Sequence, residues 1–157
     1  MVSGEYNLSM AASIKKLLSY LQERFGIAPN IFEEYSIYSD KNGFYSSTTE
    51  VKEFNKLKFE KKGIKSATDY PNLLKLSTSG VQFFGRYATK NSVNLDEADA
   101  KKFINGEIFN CSDDSTIFSD GPVIVSYRGH PLGLAIFRNG KLKSQIPREK
   151  RIAKLIE

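Results

Sequence analysis

The side chains best placed to do chemistry in this 157-residue chain are cations close to its C-terminus. Residues 126–157 hold eight Lys or Arg against two Glu, a net charge of +6, so that the rest of the chain carries −1 of the total of +5. A basic end on a near-neutral body is the electrostatic footprint of a surface that meets a polyanion. The cations with the most suggestive spacing are Arg128, Arg138, Lys141, Lys143, Arg148, Lys150 and Arg151.

Two hypotheses fit this basic set equally well. Lys141 and Lys143 are two residues apart, so they share one face of a strand and could neutralise neighbouring phosphates. Tyr127, His130 and Phe137 lie close by in the sequence and could add base stacking. The alternative is a solubilising basic edge that protects an exposed strand from pairing with other chains.

Other candidates for chemistry are weak. Cys111 is the single cysteine, which excludes an internal disulfide, and the nearby carboxylates of Asp113 and Asp114 disfavour a reactive thiolate. These two with Asp120 are predicted to form a polar loop rather than a Mg²⁺ site. His130, between Gly129 and Pro131, is predicted to be an exposed turn residue, with contact to a ligand beside Arg128 as the alternative. No dinucleotide or P-loop glycine motif occurs, so no catalytic residue, metal or cofactor is expected.

Composition points to a folded domain in the cytoplasm. Hydrophobic residues make up 40% and charged residues 26%, an ordinary globular balance. No stretch approaches the ~18 apolar residues of a membrane span, and the first ten residues lack the features of a signal peptide. These ten residues are predicted to form a loose tail.

The first half predicts a helix followed by hairpins. Apolar residues at helical spacing predict a helix over residues 10–25, ended by Gly26. Residues 35–38 and 44–47 flank a turn and predict a hairpin, and Thr49 opens a short lysine-rich helix. Residues 64–67 predict a strand. Residues 69–72 are the most linker-like, and a domain boundary is placed near residue 78.

The second half alternates short strands with small helices. Asn94 and Glu97 have the spacing of an N-cap and its N3 partner, which predicts a helix over residues 95–104. Residues 123–127 and 132–137 predict paired strands, and Asn139-Gly140 predicts a type I′ turn into a basic strand. This pattern favours a barrel-like sheet over a βαβ wind.

This second half resembles the PUA domain, an RNA-binding module of RNA-modifying enzymes and ribosome-assembly factors. The segments that carry the resemblance are residues 80–85, 93–98, 103–107, 121–125 and 129–133. Residues 139–143 and 146–151 are similar to the PUA-like tail of Sun-type RNA 5-methylcytosine methyltransferases, and residues 20–60 resemble the segment before that tail. The catalytic domain of those enzymes has no counterpart here, because no S-adenosylmethionine glycine loop is present.

The resemblance implies an α+β fold. We expect a small N-terminal α/β pre-domain over residues 1–78, followed by a PUA-like mixed β pseudo-barrel with short helices over residues 79–157. In the family, RNA lies against the first helix with its following loop and against the late strands. Carried to this sequence, the implied RNA-binding residues are Arg86, Lys90, Arg128, His130, Lys141, Lys143, Arg148, Lys150 and Arg151.

The implied function is non-catalytic binding of structured RNA, ribosomal or transfer RNA, in RNA modification or ribosome biogenesis. The alternative is an accessory subunit whose main contact is a protein, either an RNA-modifying enzyme or a pre-ribosomal assembly. The two differ in the salt dependence of RNA affinity, which is steep only for direct phosphate contact.

Overall fold

The computed structural model describes residues 2–48, 63–110 and 118–151. The predicted helix after Thr49 and the polar loop with Cys111, Asp113 and Asp114 lie outside these residues. The chain forms two compact units, Met1–Gly80 and Val81–Glu157. None of the helices within the described ranges is long and apolar enough to cross a membrane.

The N-terminal unit begins with a long helix, α1 (Val2–Phe25). Its buried stripe contains Leu17, Leu21 and Phe25, spaced four residues apart as predicted. Gly26, at φ +64°, ends the helix, and its N–H donates to the Gln22 carbonyl at 2.9 Å. The predicted start at residue 10 is wrong. No proline interrupts the first residues, so the helical backbone continues back to Val2 instead of forming a tail.

A meander of four antiparallel strands follows in this unit, after a 3₁₀ turn, Pro29–Glu34. Its strands, in spatial order, are β1 (Tyr35–Asp40), β2 (Gly43–Thr48), β3 (Ile64–Tyr70) and β4 (Leu73–Leu76). The predicted hairpin of β1 and β2 is confirmed. Residues 69–72, predicted as a linker, instead close the β3–β4 hairpin, because Tyr70 pairs with Leu73 and Pro71 supplies turn geometry.

The C-terminal unit is built on a mixed sheet with the strand order β5-β7-β8-β9-β6 among the described residues. Helix α2 (Thr78–Phe84) and a 3₁₀ turn, Gly85–Tyr87, precede it, and β5 pairs in parallel with β7 while the other neighbours are antiparallel. The α+β class and the mixed sheet expected of a PUA-like pseudo-barrel are confirmed. The strands are β5 (Ser92–Leu95), β6 (Ile108–Asn110), β7 (Gly121–Tyr127), β8 (His130–Arg138) and β9 (Lys141–Ser144).

Helix α3 (Glu97–Ile104) lies between β5 and β6 in the chain. Its N-cap is Asp96, whose carboxylate accepts from the Asp99 N–H at 2.8 Å, and not Asn94 as predicted. Asn94 lies inside β5, two residues before the N-cap position, so it cannot cap the helix. In the last turn, a 3.0 Å hydrogen bond to the Asp99 carboxylate raises the pKa of the Lys102 ammonium.

The core of this unit lies on one face of the sheet. Phe109, Leu142 and Phe137 form a row across β6, β9 and β8, and Phe103 of α3 packs against the same cluster. Phe137 is only 5% exposed and contacts Phe118 edge to face, with ring centroids 5.5 Å apart. The prediction that Phe137 stacks on a base is therefore wrong. Strand periodicity turns its neighbours Ile136 and Arg138 to the opposite face.

Candidate nucleic-acid interface

Two tight turns mark the two ends of β8. Arg128-Gly129 joins β7 to β8 with φ values of +49° and +77°, and Asn139-Gly140 joins β8 to β9 with +52° and +76°. Positive φ at both central residues is the signature of the type I′ turn, which matches the twist of paired strands. The first turn contains only two residues, so His130 is the first residue of β8, opposite Tyr127, and not a turn residue as predicted.

The first turn is held by a side chain from β5. The Asn94 carboxamide oxygen accepts from the Gly129 N–H at 2.9 Å, so the residue that does not cap α3 fixes this turn instead. The Arg128 guanidinium carbon lies 5.1 Å from the centre of the Tyr127 ring, within cation–π range. Arg128 and His130 are both exposed. The turn and the first residue of β8 therefore present a planar cation and an imidazole to solvent.

Arg86 lies at the same end of β8, because α2 and the 3₁₀ turn after it pack on the start of that strand. A methyl group on Gly85 would lie 3.0 Å from Cβ of Pro131, so only glycine allows this close approach without displacement. The next residue, Arg86, is exposed, and its guanidinium carbon lies 5.0 Å from the centre of the Tyr87 ring. We call Arg86, Arg128 and His130 the turn cluster.

The other cations share the outward face at the far end of the sheet. Lys141 lies between Arg138 of β8 and Asn110 of β6 in the strand pairing. One step further along the strands, Lys143 lies between Ile136 and Ile108. These six residues form two cross-strand rows, one polar and one that alternates an isoleucine, a lysine and an isoleucine.

All of these residues except Asn110 line an open groove of about 500 Å³. Its lining residues are Ile108, Ile136, Arg138, Asn139, Lys141, Lys143 and Gln145. We call its three cations, Arg138, Lys141 and Lys143, the groove cluster. Within the described ranges, none of them forms a salt bridge. The groove lining contains no carboxylate, so its potential is positive.

The remaining predicted RNA-binding residues lie apart from these two clusters. Lys90 is exposed just before β5 and lies beside the start of β7. Arg128 follows the other end of β7, so the two cations are far apart. Arg148 is exposed in the 3₁₀ turn Arg148–Lys150, where the side chain of Lys150 lies outside the description. Arg151 donates from Nε to the Ile146 carbonyl at 3.1 Å, and its guanidinium packs against Gly106, so it contributes to holding the C-terminal segment.

Sequence reasoning missed several groove residues. Arg138 belongs to the basic set but not to the predicted site, although a two-residue turn at Asn139-Gly140 necessarily places it opposite Lys141. Ile108 joins the groove only through the pairing of β6 with β9, which no local pattern reveals. In the parts of the chain that the structure describes, no group of three His, Cys, Asp or Glu could hold a metal ion.

Comparison with known proteins agrees with the predicted resemblance. Residues 90–152 match the family described as the Methyltransferase RsmF PUA domain. Three relatives carry the name Ribosomal RNA small subunit methyltransferase F. The one from Aeromonas salmonicida is 33% identical over 95 residues, covering 60% of this chain and 19% of the relative. The one from Aeromonas hydrophila is 28% identical over 142 residues, covering 88% and 28%. The one from Shewanella piezotolerans is 26% identical over 152 residues, covering 92% and 29%. The chain thus spans less than a third of the length of each.

Proposed function

We propose that the C-terminal unit, Val81–Glu157, binds RNA in the modification of ribosomal RNA, and that the groove cluster supplies much of its affinity. The observation that carries the proposal is the set of three cations on adjacent strands, without a salt-bridge partner among the described residues, inside the segment that matches a PUA domain. Cations held side by side in this way can each neutralise a phosphate and release its counterions.

The turn cluster is proposed to form the second part of the interface. Arg86 and Arg128 each hold a guanidinium near a tyrosine ring, which limits the freedom of the side chain before RNA arrives. A pre-ordered guanidinium loses less entropy when it meets a phosphate or a base. Lys90, Arg148, Lys150 and Arg151 remain proposed peripheral contacts, with Arg151 the weakest because its guanidinium already contacts the protein.

Ribosomal RNA of the small subunit is the proposed ligand because the relatives bear that substrate in their names. Transfer RNA stays as the comparison ligand. The proposal contains no catalytic step and no cofactor, and it places the protein in the cytoplasm. The alternative, an accessory subunit that docks on a protein of RNA modification or ribosome assembly, predicts no steep dependence of RNA affinity on salt.

The test is fluorescence anisotropy of the full chain with labelled fragments of small-subunit ribosomal RNA and with transfer RNA, between 50 and 200 mM salt. The triple variant Arg138→Ala/Lys141→Ala/Lys143→Ala removes three cations. At about 0.7 per neutralised phosphate, the slope of log affinity against log salt should become shallower by about 2. Over this fourfold salt range, wild type should lose about 20-fold more affinity than the variant.

The matched control is Lys41→Ala/Lys65→Ala/Lys75→Ala, which removes three exposed lysines from the N-terminal unit and changes the net charge equally. We expect it to keep the wild-type slope. Equal slopes for wild type and the groove variant would move the interface away from the groove. Absence of RNA binding by wild type at 50 mM salt would refute the proposal and favour the protein-binding alternative.

A further inference from the structure

We infer that the groove between β6, β9 and β8 is a site for an unpaired stretch of RNA, whose bases cover its isoleucines while its phosphates meet its cations. This inference rests on the proposed function and adds the class of RNA that the groove accepts. It starts from the exposure of Ile108, which is 59% accessible on the edge strand β6 beside Lys143. A single exposed isoleucine is common, but Ile108 shares the groove with Ile136, and apolar surface rimmed by polar groups is typical of a ligand-binding groove.

The strand pairing shows why apolar and cationic groups alternate here. Lys143 lies between Ile136 and Ile108 across three adjacent strands. Neighbouring strands are about 4.8 Å apart, so the two isoleucines lie about 10 Å apart, one on each side of the lysine. The next row toward the turn places Arg138 and Lys141 side by side. A ligand lying across the rows therefore meets apolar surface and positive charge at once.

The groove is open because the segment that covers this face of the sheet, the 3₁₀ turn after α2, does not extend as far as Ile108. Further along β7 and β8, Ile124 and Leu134 point to the same outward face as Ile136, yet they are 0% and 6% exposed. The 3₁₀ turn that begins at Gly85 lies over Ile124, because a methyl group on Gly85 would approach Cγ2 of Ile124 to 3.1 Å. Nothing in the described residues gives Ile108 the same cover.

An unpaired strand can contact both the isoleucines and the cations of this groove, whereas a duplex can contact only the cations. In a duplex the bases stack inside and the protein meets mainly phosphate and sugar, so the isoleucines would stay in contact with water. Unstacked bases expose flat faces that can dehydrate aliphatic surface while the backbone passes over the lysines. The Asn139 and Gln145 side chains also line the groove and can hydrogen-bond to base edges.

The experiment compares two labelled RNA probes on the full chain: a 12-nucleotide single strand without secondary structure and a 12-base-pair duplex closed by a stable loop. The variant Ile108→Ser removes apolar surface without changing charge. We expect it to weaken binding of the single strand about fivefold and to leave the salt slope and duplex binding unchanged. Ile64→Ser is the matched control, because Ile64 is 45% exposed on β3 of the N-terminal unit.

The outcomes separate this inference from the proposed function. Failure of wild type to bind either probe would overturn both. A second outcome is that the salt slope is shallower in the groove-cluster variant, while wild type and Ile108→Ser bind the single strand with equal affinity. This outcome would keep the RNA-binding function and overturn the assignment of unpaired RNA to the groove. A wild-type preference for the duplex would overturn the assignment in the same way. Far-ultraviolet circular dichroism of Ile108→Ser should match wild type, since the altered side chain is exposed.

Discussion

The two turns of β8 permit a test of why arginine occupies a strained position. Arg128 and Asn139 adopt almost the same backbone conformation, with φ of +49° and +52°, and each is followed by a glycine at positive φ. Asn is among the residues best tolerated there, whereas a long side chain such as Arg is not. We predict that Arg128→Asn stabilises the protein, and that Asn139→Arg destabilises it.

The magnitudes follow from the geometry. A residue that fits the left-handed region poorly costs about 1 kcal/mol. In Arg128→Asn this gain is partly offset by loss of the contact with the Tyr127 ring, worth about 0.5 kcal/mol at an exposed site. The net gain is about 0.5 kcal/mol, or a rise in Tm of about 1–2 °C for a chain of this size. Asn139→Arg should lower Tm by about 2–4 °C.

Urea and thermal unfolding of the full chain measure both effects, and RNA binding supplies the second readout. The proposed interface predicts that Arg128→Asn binds ribosomal RNA more weakly, with a salt slope shallower by about 0.7 for one lost phosphate contact. Stability and affinity should therefore change in opposite directions. A less stable Arg128→Asn protein would refute the strain argument. A more stable variant with unchanged RNA affinity would remove Arg128 from the interface.

Two further predictions concern the supports of the site. Gly85→Ala should destabilise the protein by about 1 kcal/mol in urea unfolding, since the new methyl would lie 3.0 Å from Pro131 and 3.1 Å from the fully buried Ile124; unchanged stability would show that the turn can shift. Because its pKa is raised in the folded state, Lys102 contributes stability that is complete below its ordinary value of 10.5 and is lost as pH rises through the folded pKa. Lys102→Gln should therefore flatten the alkaline decline in Tm more than Lys101→Gln does, and equal profiles would contradict this linkage.

Local signals in the sequence predict the elements that depend on neighbouring residues. Asn139-Gly140 correctly predicts the second turn, because its backbone preference needs no distant partner. The alternation of Lys141 and Lys143 correctly predicts one exposed face of β9, where both are exposed. The end of α1 at Phe25 follows from Gly26, whose positive φ stops the helix within the segment itself.

The errors arise where a distant strand decides the role of a residue. Asn94 has the spacing of a helix cap, but pairing of β5 with β7 extends its backbone and brings its side chain to the Gly129 N–H. Phe137 is aromatic and lies close to the basic residues in the sequence, which suggests base stacking. Its pairing with Leu142 places it in the core instead. Ile108 becomes a groove residue only because β6 pairs with a strand more than thirty residues later.

The separation of the two cationic clusters limits the shape of the proposed ligand. The turn cluster lies at the start of β8 and the groove cluster at its end, and nine residues of strand span about 27 Å. This distance is well beyond the screening length of about 8 Å at physiological salt, so the clusters act on different phosphates. A short single strand can occupy the groove without reaching Arg128. An RNA that contacts both clusters must therefore span about 27 Å, a distance that no small anion can bridge.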